Sequence, residues 1–290
     1  MSRILTLPKP DVLVAARPRV GEGPVIDGRS GRLCWVDIPE GVLHEHDIES
    51  GQDWSATLPM QLGAVAPREN EEGFAVAVED GFGLFVSGEL HLIDRALPEP
   101  YRRMNDAKCD SAGRLWAGST HTEYLAGFGR LHRWDGNGPS VVTGDGFVLP
   151  NGIGWSPDDS TMYLVDSFAN LLLRSRFDSA DGEVGEFEIL RRIEPGFPDG
   201  LAVDQEGCIW VAIWGDGKVC RYSPHGDLLA IVPMPVSQPS SCAFGHDGTL
   251  YITSATEGLS EEDLAKQPHA GSVFALATTT SGVPVAPFAG

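Results

Sequence analysis

Four short segments carry polar side chains that could do chemistry. They are Gly21-Glu22-Gly23-Pro24, Arg103-Met104-Asn105-Asp106, Pro150-Asn151-Gly152 and Pro198-Asp199-Gly200. Glu22 and Asp199 offer carboxylates, Asn105 and Asn151 carboxamides, and Arg103 a guanidinium. Carboxylate and amide oxygens are hard donors, and a set of them with water-filled positions left open suits a divalent cation. Taken singly, Pro-Asn-Gly and Pro-Asp-Gly are ordinary turn sequences, with Asn or Asp tolerating unusual φ and Gly supplying positive φ. Only a fold that gathers the four segments turns them into a site.

A recurring pattern supplies that fold. It reads acidic-x-x-Gly-x-(Leu/Ile)-Trp/Tyr, as in Asp110-Ser111-Ala112-Gly113-Arg114-Leu115-Trp116 and Asp204-Gln205-Glu206-Gly207-Cys208-Ile209-Trp210. His246-Asp247-Gly248-Thr249-Leu250-Tyr251 repeats it, and looser copies surround Trp35, Val76 and Tyr163. The spacing is about 40 to 47 residues, the span of one four-stranded propeller blade. Six copies fill the chain, so we expect an all-β fold: a six-bladed β-propeller with four-stranded blades around a central channel. Stacking of repeats makes residues 1–290 one expected domain. Equivalent strands are expected at 33–38, 74–78, 114–118, 162–166, 209–213 and 250–253. Each of the four polar segments precedes one of them, so the segments should emerge as loops on one face and let Glu22, Asn105, Asn151 and Asp199 converge. The segment 11–15 is strand-like and should close the last blade, protecting the terminal edges. Gly-Asp-Gly at 215–217 and Asp-Gly-Asn-Gly at 135–138 read as hairpin turns. One turn of helix is expected at 260–266, opened by Ser260 with early acids and stopped before Pro268.

Composition narrows the partners. The net charge of −20 repels nucleic-acid phosphate and anionic membrane surfaces, so neither is expected as a partner. No apolar stretch is long enough to span a bilayer, and Met1–Pro8 lacks the apolar core of a signal peptide, so the expected location is the cytoplasm. The five cysteines are an odd number without a Cys-x-x-Cys pair, and Cys34, Cys208 and Cys242 read as small buried hydrophobes. No heptad or long apolar helix demands a partner, so a monomer or small homo-oligomer is expected. No Gly-x-Ser-x-Gly elbow and no glycine-rich phosphate loop occur.

From Gly21 to about Ala275 the chain resembles the family of senescence marker protein 30, gluconolactonase and luciferin-regenerating enzyme. The resemblance rests on Gly21-Glu22-Gly23-Pro24 with Trp35-Val36-Asp37-Ile38, on Arg103-Met104-Asn105-Asp106 with Gly113–Gly118, and on Pro150-Asn151-Gly152-Ile153-Gly154-Trp155-Ser156. Pro198-Asp199-Gly200-Leu201 and Ser241-Cys242-Ala243-Phe244-Gly245 complete it. It implies one divalent metal ion (Ca, Zn, Mn, Mg or Fe(II)) in the channel mouth, with ligands Glu22, Asn151 and Asp199. It implies substrate contacts at Arg103, Asn105 and Glu123, the last in a Thr120-His121-Thr122 context that departs from the family pattern. The implied reaction is hydrolysis of a lactone, a sugar lactone such as glucono- or xylonolactone. The metal would polarise the carbonyl as a Lewis acid, and Asp199 would accept a proton from the attacking water. Another ester or a phosphotriester at the same metal, or a non-catalytic metal-binding propeller, are the alternatives.

Other polar residues read more plainly. His44 and His46 alternate with Glu45 on one strand and fit a blade edge. His121 fits a solvated loop. Met60, Gln61, Ser237, Gln238, Ser240 and Ser241 are expected near the mouth in blades two and six.

Overall fold

The computed structural model describes residues 4–290. Met1, Ser2 and Arg3, the start of the stretch expected not to be a leader, lie outside the described residues. Six antiparallel sheets of at least four strands each follow one another along the chain. Their first strands are Gly21–Asp27, Leu62–Pro67, Arg102–Cys109, Pro150–Trp155, Phe197–Val203 and Pro239–Phe244. Each first strand packs against that of the next blade, and the sixth returns to the first. The fold is therefore a six-bladed β-propeller, with the first strands around the channel.

The repeat has a local physical cause. In blade three, Asp110 Oδ1 accepts from the Ala112 and Arg114 amides at 3.0 and 3.1 Å, which closes the turn. Its Oδ2 accepts the Trp116 indole N–H at 2.8 Å and Arg114 Nε at 2.7 Å. Blade five repeats the arrangement around Asp204, whose Oδ1 accepts from Glu206 and Cys208 and whose Oδ2 accepts from Trp210 and Arg221. The aromatics of the repeat lie buried between blades. Burial of such rings supplies much of the stacking energy.

All six first strands share an irregularity. Their pairing with the second strand shifts between Glu22 and Val25, Leu62 and Ala64, Met104 and Ala107, Pro150 and Ile153, Pro198 and Leu201, and Pro239 and Cys242. A bulge adds an unpaired residue and re-aims its side chain. The polar segments are therefore bulges inside the channel-lining strands, not loops before them. Gly152 and Gly200 are also not positive-φ turn residues. They are glycine because the next blade's backbone crowds them. A Cβ on Gly152 would lie 2.6 Å from Asp199 O and Leu201 N, and one on Gly200 would collide with Ser241.

Both ends of the chain tie the ring. Asp11–Val14 pairs antiparallel with Val273–Ala277 as the outer strand of blade six. Leu5–Thr6 adds a short parallel strand to blade five. The C-terminal segment crosses the channel end opposite the polar bulges. Val283 N donates to Val203 O at 2.8 Å, Phe288 N to Pro67 O at 2.7 Å, and the Phe288 ring stacks on Trp134 at 4.9 Å. The helix Glu261–Lys266 carries the expected capping box, Ser260 with Asp263. All five cysteines are free and buried.

Candidate active site

The bulges of blades one, three, four and five bring Glu22, Asn105, Asn151 and Asp199 to the floor of one cavity of about 560 Å³. Arg103 and Gln61 line it as well. All four floor residues are buried. Asn151 Nδ2 donates to Ser167 Oγ at 3.1 Å and to Asp199 Oδ1, and this fixes its amide oxygen on the other side. Glu22 Oε2 accepts from the Gly23 amide at 2.6 Å. Arg103 Nη1 donates to Asn105 Oδ1 at 2.7 Å, while Asn105 Nδ2 donates to Pro150 O at 3.2 Å. Asn105 thus spends its amide on holding Arg103 and on bridging blades three and four.

Two floor atoms are orphaned. Glu22 Oε1 and Asn151 Oδ1 are buried and have no hydrogen-bond partner. A buried acceptor without a donor costs about 1–3 kcal/mol, so such an atom calls for an explanation. Burial pushes the Glu22 carboxyl well above the usual carboxylate range, and the nearby charges of Asp199 and Asp106 add to the effect. Burial likewise raises Asp199, with Asp106 next, against the lowering by Asn151, Glu22 and Arg103. Asp106, behind the floor, is raised by burial, and Lys108 opposes this. Lys108 Nζ donates to Leu201 O at 2.6 Å and is pushed down by burial. Crowded acids, orphaned acceptors and a shortage of positive charge are the chemistry of a donor set for a hard divalent cation. Glu22, Asn151 and Asp199 fit such an ion. Among the described residues no cluster of three or more His, Cys, Asp or Glu side chains is arranged for a metal, and in this set an amide oxygen would be the third donor.

Glu123 does not join the others. It sits exposed on the loop after Leu115–His121, while its neighbours Thr122 and Tyr124 line the cavity. The adjacent strand-end residue His121 packs against Tyr101 and Phe128, away from the cavity lining. Met60 packs into the core beside blade two, and Ser240 is buried, with its hydroxyl donating to Gly21 O and lying 2.9 Å from the Thr253 hydroxyl. Sequence reasoning missed Arg19, Ser167, Phe168, Phe197, Trp214 and Glu257 on the cavity wall. The available signal was adjacency: Phe197 stands two residues before Asp199, and Arg19 three before Glu22.

Fold and floor define a class, a six-bladed propeller with a buried carboxylate–carboxamide set at one channel mouth. The model of the SMP-30/Gluconolactonase/LRE-like region matches residues 20–256, and the chain belongs to that family. It is 36% identical to the 6-deoxy-6-sulfogluconolactonase of Pseudomonas putida, over 96% of this chain and 98% of that one. It is 33% identical to the L-arabinolactonase of Azospirillum brasilense, over 96% and 95%. The crystal structure of a calcium-binding protein, regucalcin, from Agrobacterium tumefaciens superposes with a TM-score of 0.92 at 31% identity, covering 99% of both chains.

Proposed function

We propose that this protein is a metal-dependent lactonase acting on sugar lactones. The observation that carries the reading is the pair of orphaned acceptors, Glu22 Oε1 and Asn151 Oδ1, beside Asp199 on the cavity floor. The lactonase names of full-length relatives support the choice of substrate. Glu22, Asn151 and Asp199 would hold the ion, which when bound supplies Lewis-acid polarisation of a carbonyl oxygen.

The chain's own residues do the rest. Arg103 spends Nη1 on Asn105 and on Met104 O. Its remaining N–H donors serve the hydroxyl and ring oxygens of the substrate. Asn105 is a positioning residue, because it holds that guanidinium. Asp199 accepts a proton as water adds to the carbonyl carbon, and returns it to the ring oxygen as the C–O bond breaks. The product is the open-chain hydroxy acid, one water heavier than the lactone. Burial and hydrogen bonding keep these groups oriented before substrate arrives.

The test is a pH-indicator assay on metal-stripped protein. Single divalent cations are added back to wild type and to Asp199→Ala. Turnover that requires an ion and vanishes in the variant is the expected result. A bound ion without turnover on any lactone would move the reading to a non-catalytic binding propeller.

A further inference from the structure

The cavity wall is two-faced. On the side of blades three to five stand Tyr124, Phe168, Phe197 and Trp214. The Tyr124 and Phe168 rings meet edge to face with centroids 4.7 Å apart, and Phe168 meets Phe197 in the same way at 5.3 Å. Phe197 is the register partner of Trp214 on the neighbouring strand. Three rings touch in series, and Trp214 extends the arc from the strand paired with Phe197. Tyr124, Phe168 and Phe197 remain 39%, 42% and 40% exposed, far more than the buried rings between the blades. Adjacent exposed rings at a cavity are a cost to the free protein and a signature of binding. Tyr124 is also held at a φ of +55°, a strained conformation for a tyrosine, where its ring closes the arc.

The arc is tied to the floor through the chain. Phe168 follows Ser167, the acceptor of the Asn151 amide, and Phe197 precedes Asp199 by two residues. A ring whose carbonyl lies over the floor therefore presents another edge to the aromatics. The opposite wall is polar but charge-satisfied. Arg19 donates to both oxygens of Glu257, at 2.6 and 3.1 Å, and lies 3.5 Å from Glu40. Among the described lining residues no cation stands in the arc, and Arg103 sits at the floor, where its free donors face the reacting end of the substrate. A phosphate, sulfonate or carboxylate turned toward the arc would meet aromatic faces and no cation.

We infer that the arc of Tyr124, Phe168, Phe197 and Trp214 determines specificity, selecting uncharged lactones that turn a C–H face or a deoxygenated carbon toward it, and rejecting anionic ones. The inference deepens the lactonase reading and rests on it. Aromatic rings favour C–H surfaces through dispersion and burial, whereas an anion gains nothing there to replace its hydration.

Steady-state kinetics on a matched series tests it: a six-carbon aldonolactone, its 6-deoxy form and its 6-phosphate. Wild type should prefer the first two over the phosphate by about tenfold or more in kcat/KM. Phe168→Ala and Phe197→Ala should raise KM for the uncharged pair about tenfold, with kcat changed far less, and Phe168→Leu should recover part of the loss. Preference for the phosphate, or an unchanged KM in both alanine variants, overturns the inference. If wild type opens no lactone at all, the lactonase reading fails instead. The arc is then tested by saturation-transfer NMR with the 1,5-anhydro sugar, which lacks the carbonyl. Transfer that is present in wild type and lost in the double alanine variant upholds the arc, and equal transfer in both overturns it.

Discussion

The indole N–H of Trp116 donates to the carboxylate of Asp110 at 2.8 Å, six residues upstream and across the turn that the same carboxylate closes. One side chain thus satisfies a tryptophan, two amides and the Arg114 guanidinium, while almost wholly buried itself. Asp110→Ala would leave these donors unpaired. We predict a loss of about 2–4 kcal/mol in urea unfolding, with little change in the activity of the fraction still folded. A loss below about 1 kcal/mol would mean that water replaces the carboxylate.

That carboxylate–tryptophan unit is why the blades were legible in the sequence. Its spacing carried the acid, the turn glycine and the aromatic together, and the structure has a blade at every copy, even the one with Val76. The segments of Glu22, Asn105, Asn151 and Asp199 were visible as departures from that pattern, and the structure gathers them in one cavity. Their backbone was misread, because a bulge inside a strand uses the same Pro, Asn, Asp and Gly residues as a turn. The aromatic arc was invisible. Its members come from positions outside the repeat, so no periodicity announces them, and only the assembled ring sets Phe168 against Phe197. Glu123 was implied by the family resemblance in a Thr120-His121-Thr122 context that departs from the family pattern, and here the loop turns Thr122 and Tyr124 to the cavity while Glu123 is exposed.

Gly200 is the position where the cavity floor and blade stacking coincide. A methyl group there would collide with the Ser241 side chain of blade six. Gly200→Ala should cost about 1–3 kcal/mol from overpacking and should also move Asp199, lowering kcat/KM. Adding Ser241→Gly removes the crowded side chain and should recover part of both losses. Recovery of stability without recovery of activity would show that Ser241 itself matters to the floor.

Ion binding should be visible without any substrate. Burial holds Glu22 and Asp199 above the usual carboxylate range, helped by the charge of Asp106 at both and by that of Asp199 at Glu22. Folding of the ion-free chain therefore takes up protons, and its stability falls as pH rises from about 4.5 through the raised values. A divalent cation at about 100-fold excess over its Kd adds about 2.7 kcal/mol to the folded state. The gain in melting temperature should be larger at pH 8 than at pH 5, where protons compete for the same oxygens. Glu22→Gln should shrink the gain. A gain that is the same at both pH values and in the variant would place the ion elsewhere.

His132 gives the opposite pH dependence. It is buried in blade three with Nε2 2.8 Å from Ser119 Oγ. Burial pushes its pKa down to about 4, helped by the positive charges of Arg130 and Arg102 and opposed by Asp94 and Glu99. The unfolded chain, with an ordinary histidine near 6.5, therefore binds the proton first as pH falls. Stability is fully present above about 6.5, is lost between about 6.5 and 4, and levels below that, because the folded state then protonates too. The full swing is on the order of 3 kcal/mol. The raised floor carboxylates slope the other way, so the wild-type curve alone mixes the two effects. Urea unfolding of wild type and His132→Gln from pH 4 to pH 7 separates them. The wild-type advantage should grow with pH by about 2–3 kcal/mol. A constant difference would show that His132 takes up its proton in the folded protein as readily as in the unfolded chain.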